Sequence, residues 1–141
     1  MNPGSVWHYE NFEFKDGGKS NKYLVVLNKA NQGDPVLTVK TTSNPNRKNA
    51  FPGCCTVCNC YKVSKGCEDC FTKDTWVQLH DIYPFPLNEI LKAQLQDKKL
   101  TSKGELSERC YQAILHCCAH SDDIPIKFQK MIASSMSIKT D

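Results

Sequence analysis

The stretch Tyr23-Leu-Val-Val-Leu27, followed by Asn31-Gln-Gly-Asp-Pro35 and Val36-Leu-Thr-Val39, decides the fold class. The first run is rich in β-branched and aromatic residues and is bounded by polar turn residues, which is typical of a buried strand. The second is a turn cluster, and the third begins a strand that is predicted to end near Thr42. Together they predict a β-hairpin with a long loop.

Three further short segments have strand character, namely Ser5–Tyr9, Cys60–Val63 and Thr75–Leu79. Five short strands that are separated by turns, with no helix between them, predict a small, strongly bent antiparallel barrel. This barrel is predicted to occupy residues 1–85 and to include a cysteine-rich loop at 54–70.

The last third of the chain changes to helical periodicity, beginning with the apolar residues of Leu87–Leu95. After a predicted break at Lys98–Gly104, the spacing predicts a second helix over Leu106–His120 and a short third helix over Ile126–Met136. Residues 86–141 are therefore predicted to be a C-terminal helical extension that packs on the barrel. The predicted fold class is mainly β with α.

Composition limits the classes of function. The chain has 141 residues, 18 basic and 15 acidic side chains and a formal net charge of +3. This small excess excludes a uniform polycationic coat, so any anion site must come from local clustering. No stretch is apolar enough to span a bilayer, and the N-terminus lacks the pattern of a secretory signal. The sequence therefore predicts a cytoplasmic protein with no membrane partner.

Seven short motifs occur in a fixed order along the chain. They are Gly4-Ser-Val-Trp7, Asn21-Lys-Tyr-Leu-Val-Val-Leu27, Val39-Lys-Thr-Thr-Ser43, Pro52-Gly-Cys54, Asp74-Thr-Trp-Val-Gln-Leu79, Lys103-Gly-Glu-Leu106 and Ser121-Asp-Asp-Ile124. In their residues and their order, these motifs resemble those of the PemK/MazF family of toxin proteins, in particular a subgroup with a C-terminal helical extension. The resemblance implies an SH3-like, plasmid-maintenance-toxin barrel. It also implies an endoribonuclease that cuts single-stranded RNA without a metal, forms a homodimer and binds a small antitoxin protein.

The implied reaction sets the chemistry that the catalytic residues must supply. The ribose 2′-hydroxyl attacks the adjacent phosphate, which requires a base, an acid and cations that hold the phosphorane charge. The resemblance places Thr42 and Ser43 on the scissile phosphate, although the same residues are good strand-end turn formers. Arg47 is the predicted phosphate clamp, and a solvated loop charge is its other interpretation. His8 or Asp74 is predicted to transfer protons, although His8 is also interpreted as a half-buried strand residue and Asp81 competes with Asp74 for the family's acidic position.

The predicted RNA-binding residues are Lys15, Lys19, Lys22, Lys48 and Tyr9, with the tyrosine ring stacking on a base. The family's catalytic arginine usually lies in the first loop, where this sequence has lysines instead. A lysine neutralises a phosphate but lacks the bidentate fork of arginine. This departure favours an alternative function, a catalytically silent SH3-like module that binds RNA or a peptide.

Nine cysteines make the chain cysteine-rich, and four of them form the pairs Cys55-Thr-Val-Cys58 and Cys67-Glu-Asp-Cys70. The spacing is that of a tetrathiolate zinc site, while reduced thiols and disulfides are the other two interpretations. Such a zinc would be structural, so catalysis itself is predicted to need no cofactor. A zinc- or thiol-dependent regulator is therefore a second alternative function. Cys110 and Cys117 are predicted to be packing residues of the second helix.

Overall fold

The computed structural model describes residues 1–13, 18–30, 33–44 and 50–136. Its strands are β1 (Ser5–Glu13), β2 (Lys19–Val26), β3 (Val36–Thr42), β4 (Gly53–Cys55), β5 (Cys60–Val63), β6 (Thr75–Phe85) and β7 (Leu100–Glu105). Its helices are α1 (Leu87–Leu91), which continues as a π-helical turn (Lys92–Gln96), α2 (Glu108–Ala119) and α3 (Ile126–Ala133). The prediction of a mainly β chain with helices is confirmed.

All seven strands belong to one antiparallel sheet with the order β4-β5-β6-β3-β2-β1-β7. Within the described ranges this sheet is open, with β4 and β7 at its edges and no ladder that joins them. The closed barrel expected from the sequence is therefore not seen in this part of the chain. No helix among the described residues is long and apolar enough to cross a bilayer.

Strands β3 and β5 have the bounds that the sequence predicted, but the predicted break at Lys98–Gly104 is wrong. Most of that segment is strand β7, which pairs with β1 from Ser5 opposite Glu105 to Tyr9 opposite Leu100. Only Leu100 of β7 is buried, so the strand lacks the alternation of apolar residues that reveals a strand. Its pairing with the outer edge of β1 holds it in the sheet.

The sheet is covered on both faces. Because successive side chains of a strand point to opposite faces, Val25 and Val26 of β2 enter different core clusters. The larger cluster contains Val25 and also Ile114 of α2 and Ile132 of α3. The smaller cluster contains Val26 and also Ile90 of α1. The leucines at 87, 91 and 95 are exposed, so this helical segment buries its other side.

Helix α2 is fixed to the sheet through Tyr111. Its hydroxyl donates a hydrogen bond to the carbonyl of Leu27 (2.8 Å), and burial raises the pKa of Tyr111 to about 12. Its ring lies against Gly4, which has a φ of 82°. A Cβ at that position would be 3.2 Å from Cγ of Tyr111. Glycine therefore permits both the backbone conformation and the close approach of the helix.

Strand β6 bends sharply between its two halves. Val39 of β3 lies opposite Ile82, whereas Thr41 lies opposite Val77, so β6 has extra residues at this point. The ion pair between Lys40 and Asp81 (3.2 Å) lies at the bend. The first half of β6 therefore turns away from the second half, and it carries the β5–β6 loop towards the end of β3.

A disulfide joins Cys54 of β4 to Cys117 of α2, with a Cα–Cα distance of 5.7 Å. Cys117 is buried, as its place in the apolar stripe predicted, but it is also bonded to a distant cysteine. The spacing of residues within α2 cannot reveal a partner that is 63 residues away. The remaining seven cysteines are not in disulfides.

Candidate functional site

A polar cleft opens where β2 and β3 separate. The ladder between these strands extends from Val26 opposite Thr38 to Leu24 opposite Lys40 and continues no further among the described residues. Beyond it, the start of β2, the end of β3 and the β5–β6 loop enclose a cavity of about 390 Å³. We call it the Thr42 cleft, and its principal lining residues are Lys22, Tyr23, Thr42, Ser43, Phe71 and Lys73.

The hydroxyl groups of the cleft have different surroundings. Thr42 Oγ1 accepts a hydrogen bond from the backbone N–H of Asn44 (3.1 Å). This contact is typical of a strand-end turn, which is the alternative interpretation of Thr42 to a catalytic role. This bond uses one acceptor position and leaves the hydroxyl proton for a ligand. Ser43 is exposed, and its Oγ has no hydrogen-bond partner within the described residues. The buried Thr41 instead donates to the carbonyl of Tyr23 (3.1 Å) and holds the two strands together.

Positive charge dominates the cleft. Burial lowers the pKa of Lys22, and the nearby charge of Lys40 lowers it further. Lys73 lies on the β5–β6 loop and is exposed. The described lining contains these two lysines (22 and 73) and no carboxylate. The cleft is therefore suited to an anion, and Lys22 is the cation that water screens less.

An exposed aromatic ring also lines the cleft. Tyr23 is 39% exposed, and its ring lies edge-on to the ring of Phe71, with the centroids 6.4 Å apart. The sequence treated Tyr23 only as the first residue of a buried strand. It lies on the same face of β2 as the buried Val25, but the ladder between β2 and β3 ends at Leu24, and the ring is accessible at the rim of the cleft.

Two residues that the sequence assigned to proton transfer lie outside the lining. His8 packs edge-on against the Tyr23 ring, with the ring centroids 5.3 Å apart, and is not among the residues that line the cleft. Asp74 accepts a hydrogen bond from the backbone N–H of Lys65 (2.8 Å) and pairs with Lys62 at 3.8 Å. These contacts hold Asp74 within the β5–β6 connection.

The predicted RNA-binding residues are also divided. Tyr9 lies on the other face of the sheet, where its ring stacks on Phe85 with the centroids 5.9 Å apart. Burial raises its pKa, and Asp97 and Glu89 raise it further. Lys19 is exposed at the start of β2 and does not line the cleft, so only Lys22 of the predicted set does so among the described residues. Arg47, Lys15 and Lys48 lie outside the described residues.

The two C-x-x-C pairs lie in different surroundings. Cys55 and Cys58 are hydrogen-bonded at the β4–β5 turn, and the bond from the Cys58 side chain is the main cause of the lowered pKa of Cys55. Cys67 and Cys70 interact electrostatically with Cys110 of α2, whose pKa burial raises to about 12.

All nine cysteines are described, and no three His, Cys, Asp or Glu side chains of the described residues are grouped closely enough to hold a metal ion. The zinc site at Cys55, Cys58, Cys67 and Cys70 stays a prediction, which the metal content of protein purified without chelator would test.

No protein-family model matches the chain, and no curated protein matches it either. Its function is therefore inferred from the chemistry of the Thr42 cleft and from the order of the motifs.

Proposed function

We propose that the chain is a PemK/MazF-like toxin, an endoribonuclease that cleaves single-stranded RNA by attack of the 2′-hydroxyl without a metal. The proposal rests on one observation: Lys22, Thr42 and Ser43 line the same cleft, and its described lining contains no carboxylate. A polyanion with unstacked bases fits such a cleft, because lysines neutralise its phosphates and an exposed ring stacks on a base.

Each lining residue has a role in this proposal. The hydroxyls of Thr42 and Ser43 donate to the non-bridging oxygens of the scissile phosphate. Lys73 balances the charge that grows on the phosphorane, and Lys22 does so once it has accepted the 2′-hydroxyl proton. Tyr23 stacks on a neighbouring base, an interaction that contributes about 1–3 kcal/mol where it occurs.

Lys22 is our candidate for proton transfer. His8 and Asp74 lie outside the cleft, whereas the ammonium group of Lys22 lies in it with a lowered pKa. A lysine with a lowered pKa has more of the neutral amine that can accept the 2′-hydroxyl proton. Arg47 follows the cleft residue Asn44 closely in sequence, so we keep it as the proposed phosphate clamp.

The finer fold and the partners are proposals that rest on the family resemblance. We propose that the sheet is of the SH3-like type, which the antiparallel pairing, the register shifts of β1 and the bend in β6 support. A homodimer and a small antitoxin protein are proposed as partners on the resemblance alone.

The decisive experiment compares two synthetic single-stranded RNA pools in the presence of EDTA, one unmodified and one with 2′-deoxyribose at every position. Purified protein is expected to cleave only the first pool and to leave 2′,3′-cyclic phosphate and 5′-hydroxyl ends. Lys22→Met and Thr42→Val variants are expected to lose most of this cleavage. The matched controls are Lys103→Met and Thr101→Val, since both residues are exposed on β7 and neither lines the cleft.

Intact RNA after incubation with folded protein would contradict the enzyme proposal. It would favour the silent binding module, an alternative that the positions of His8 and Asp74 outside the cleft support. For that module, both pools are expected to bind with a salt-dependent affinity. Lys22→Met is then expected to reduce the slope of log affinity against log salt by about 0.7, the value for one phosphate contact on a single strand.

A further inference from the structure

The β4–β5 turn holds a pair of thiols that the proposed ribonuclease does not use. Cys55 ends β4 and lies opposite Cys60, which begins β5, so Cys58 belongs to the turn between them. The Cys58 thiol and the backbone N–H groups of Cys58 and Val57 all donate hydrogen bonds to the sulfur of Cys55. The two sulfurs are therefore neighbours, and one of them is surrounded by donors.

This turn is open to solvent. The side chain of Val57 between the two cysteines is 93% exposed, and both cysteines are partly exposed. Cys118, in contrast, is a fully buried thiol of α2. A small molecule in solution can therefore reach the sulfurs of the turn but not that of Cys118.

The neighbouring disulfide is separate from this pair. Cys54 and Cys55 are consecutive residues of β4, so their side chains point to opposite faces of the strand. Cys54 forms a disulfide with Cys117 of α2, whereas Cys55 is hydrogen-bonded to Cys58. The same short strand thus carries one cross-link to the helix on one side and, on the other, a cysteine that is hydrogen-bonded to the Cys58 thiol.

We propose that Cys55 and Cys58 form a thiol–disulfide exchange site whose substrates are small disulfides such as glutathione disulfide. The Cys55 thiol gives its proton to water, and its sulfur attacks one sulfur of glutathione disulfide, which forms a mixed disulfide and releases one glutathione thiolate. That thiolate takes the proton of the Cys58 thiol. The sulfur of Cys58 then attacks the sulfur of Cys55 and releases the second glutathione as a thiolate, which takes a proton from water. Two protein thiols are oxidised, and one disulfide is reduced to two thiols.

The test is peptide mapping of the full-length protein by mass spectrometry, after equilibration with excess glutathione disulfide and blocking of the remaining thiols with N-ethylmaleimide. In the unmodified sequence, a disulfide between Cys55 and Cys58 is expected, while Cys54–Cys117 is unchanged. A peptide map in which Cys55 and Cys58 both carry N-ethylmaleimide would overturn the proposal. Zinc that is bound to the purified protein and blocks the oxidation of these two cysteines would also overturn it.

A pair of matched variants identifies the attacking sulfur. Cys58→Ser removes the resolving thiol, so glutathione is expected to accumulate on Cys55. Cys70→Ser makes the equivalent change in the other C-x-x-C pair, where Cys67 is exposed. Several-fold more adduct is expected on Cys55 in the first variant than on Cys67 in the second at equal times. Equal amounts would mean that exposure alone governs the reaction, and the assignment of Cys55 would be wrong.

Discussion

The side chain of Lys22 shows how much of a site can be predicted from single residues. Lys22 belongs to the motif Asn21–Leu27, and Thr42 belongs to the motif Val39–Ser43. Both residues could therefore be predicted as members of the candidate site. Lys73 was not predicted, because it is far away in the sequence and only the bend in β6 brings its loop to the cleft. Local motifs therefore indicated one wall of the cleft, and tertiary structure supplied the other.

The partly buried charge of Lys22 is expected to make the proposed RNA binding depend on pH. Burial and Lys40 lower the pKa of Lys22, so it loses its charge at a lower pH than an ordinary lysine does. Affinity for the 2′-deoxy pool is expected to fall as the pH rises through that lowered pKa. In Lys22→Arg the charge persists, and affinity is expected to hold to higher pH. Fluorescence anisotropy at constant salt measures both profiles.

The size of this effect follows from the contact that is lost. A hydrogen bond to a charged group contributes about 1.5–3 kcal/mol, so deprotonation of Lys22 is expected to weaken binding roughly tenfold or more. Lys103→Arg on β7 is the control and should leave the profile unchanged. If the profiles of Lys22→Arg and the unmodified protein coincide, Lys22 does not contact the nucleic acid.

Helix α2 begins with a cap that also connects it to the cysteine-rich loop. Ser107 Oγ accepts from the backbone N–H of Cys110 (3.2 Å) and donates to Glu68 Oε2 (3.1 Å). Glu68 Oε1 in turn accepts from the backbone N–H of Ser107. The acidic side chain thus lies at the positive end of the helix, where a negative charge is favourable.

Removal of the cap is expected to lower the stability of the protein. Ser107→Ala should reduce the free energy of unfolding by about 1 kcal/mol, the usual effect of losing an N-cap hydroxyl. Urea denaturation measures it, with Ser102→Ala on the exposed edge strand β7 as the control. The double variant with Glu68→Ala should lose less than the sum of the single losses, because the two side chains share one network. Additive losses would argue against that network.

Elements differed in how well the sequence predicted them, for physical reasons. Strand β5 was predicted with its observed bounds because turn residues flank a compact run of strand formers. Strand β7 was missed because a single buried residue, Leu100, gives no alternation. The three exposed leucines at 87, 91 and 95 revealed a helix by their spacing. They could not reveal which side is buried, because Ile90 and Ala93 are the residues that pack against the sheet.

For the molecule as a whole, the Cys54–Cys117 bond is the one disulfide that joins the sheet to the C-terminal helices among the described residues. Closing a loop of this length restricts the unfolded chain, and the chain-entropy relation gives about 4 kcal/mol for a separation of 63 residues. The reduced protein is expected to unfold at a lower urea concentration than the oxidised protein. Denaturation with and without dithiothreitol measures the difference.

Two variants separate this tie from the other thiols. Cys54→Ser should abolish the effect of dithiothreitol and match the stability of the reduced protein. Cys67→Ser should retain the effect, because Cys67 is exposed and is not in the bond. Equal midpoints for the reduced and oxidised protein would show that the bond does not stabilise the fold.

The pairing of Ser5 with Glu105 has a consequence for how the chain acquires its fold during synthesis. Strand β1 leaves the ribosome well before the strand that covers its outer edge, which follows about 100 residues later. At a synthesis rate of about 5–20 residues per second, this delay is roughly 5 to 20 seconds. Throughout that interval β1 presents an uncovered row of backbone donors and acceptors, which is the kind of edge that recruits other nascent chains. A binding protein that shields this edge would therefore act on the growing chain and leave once β7 has emerged.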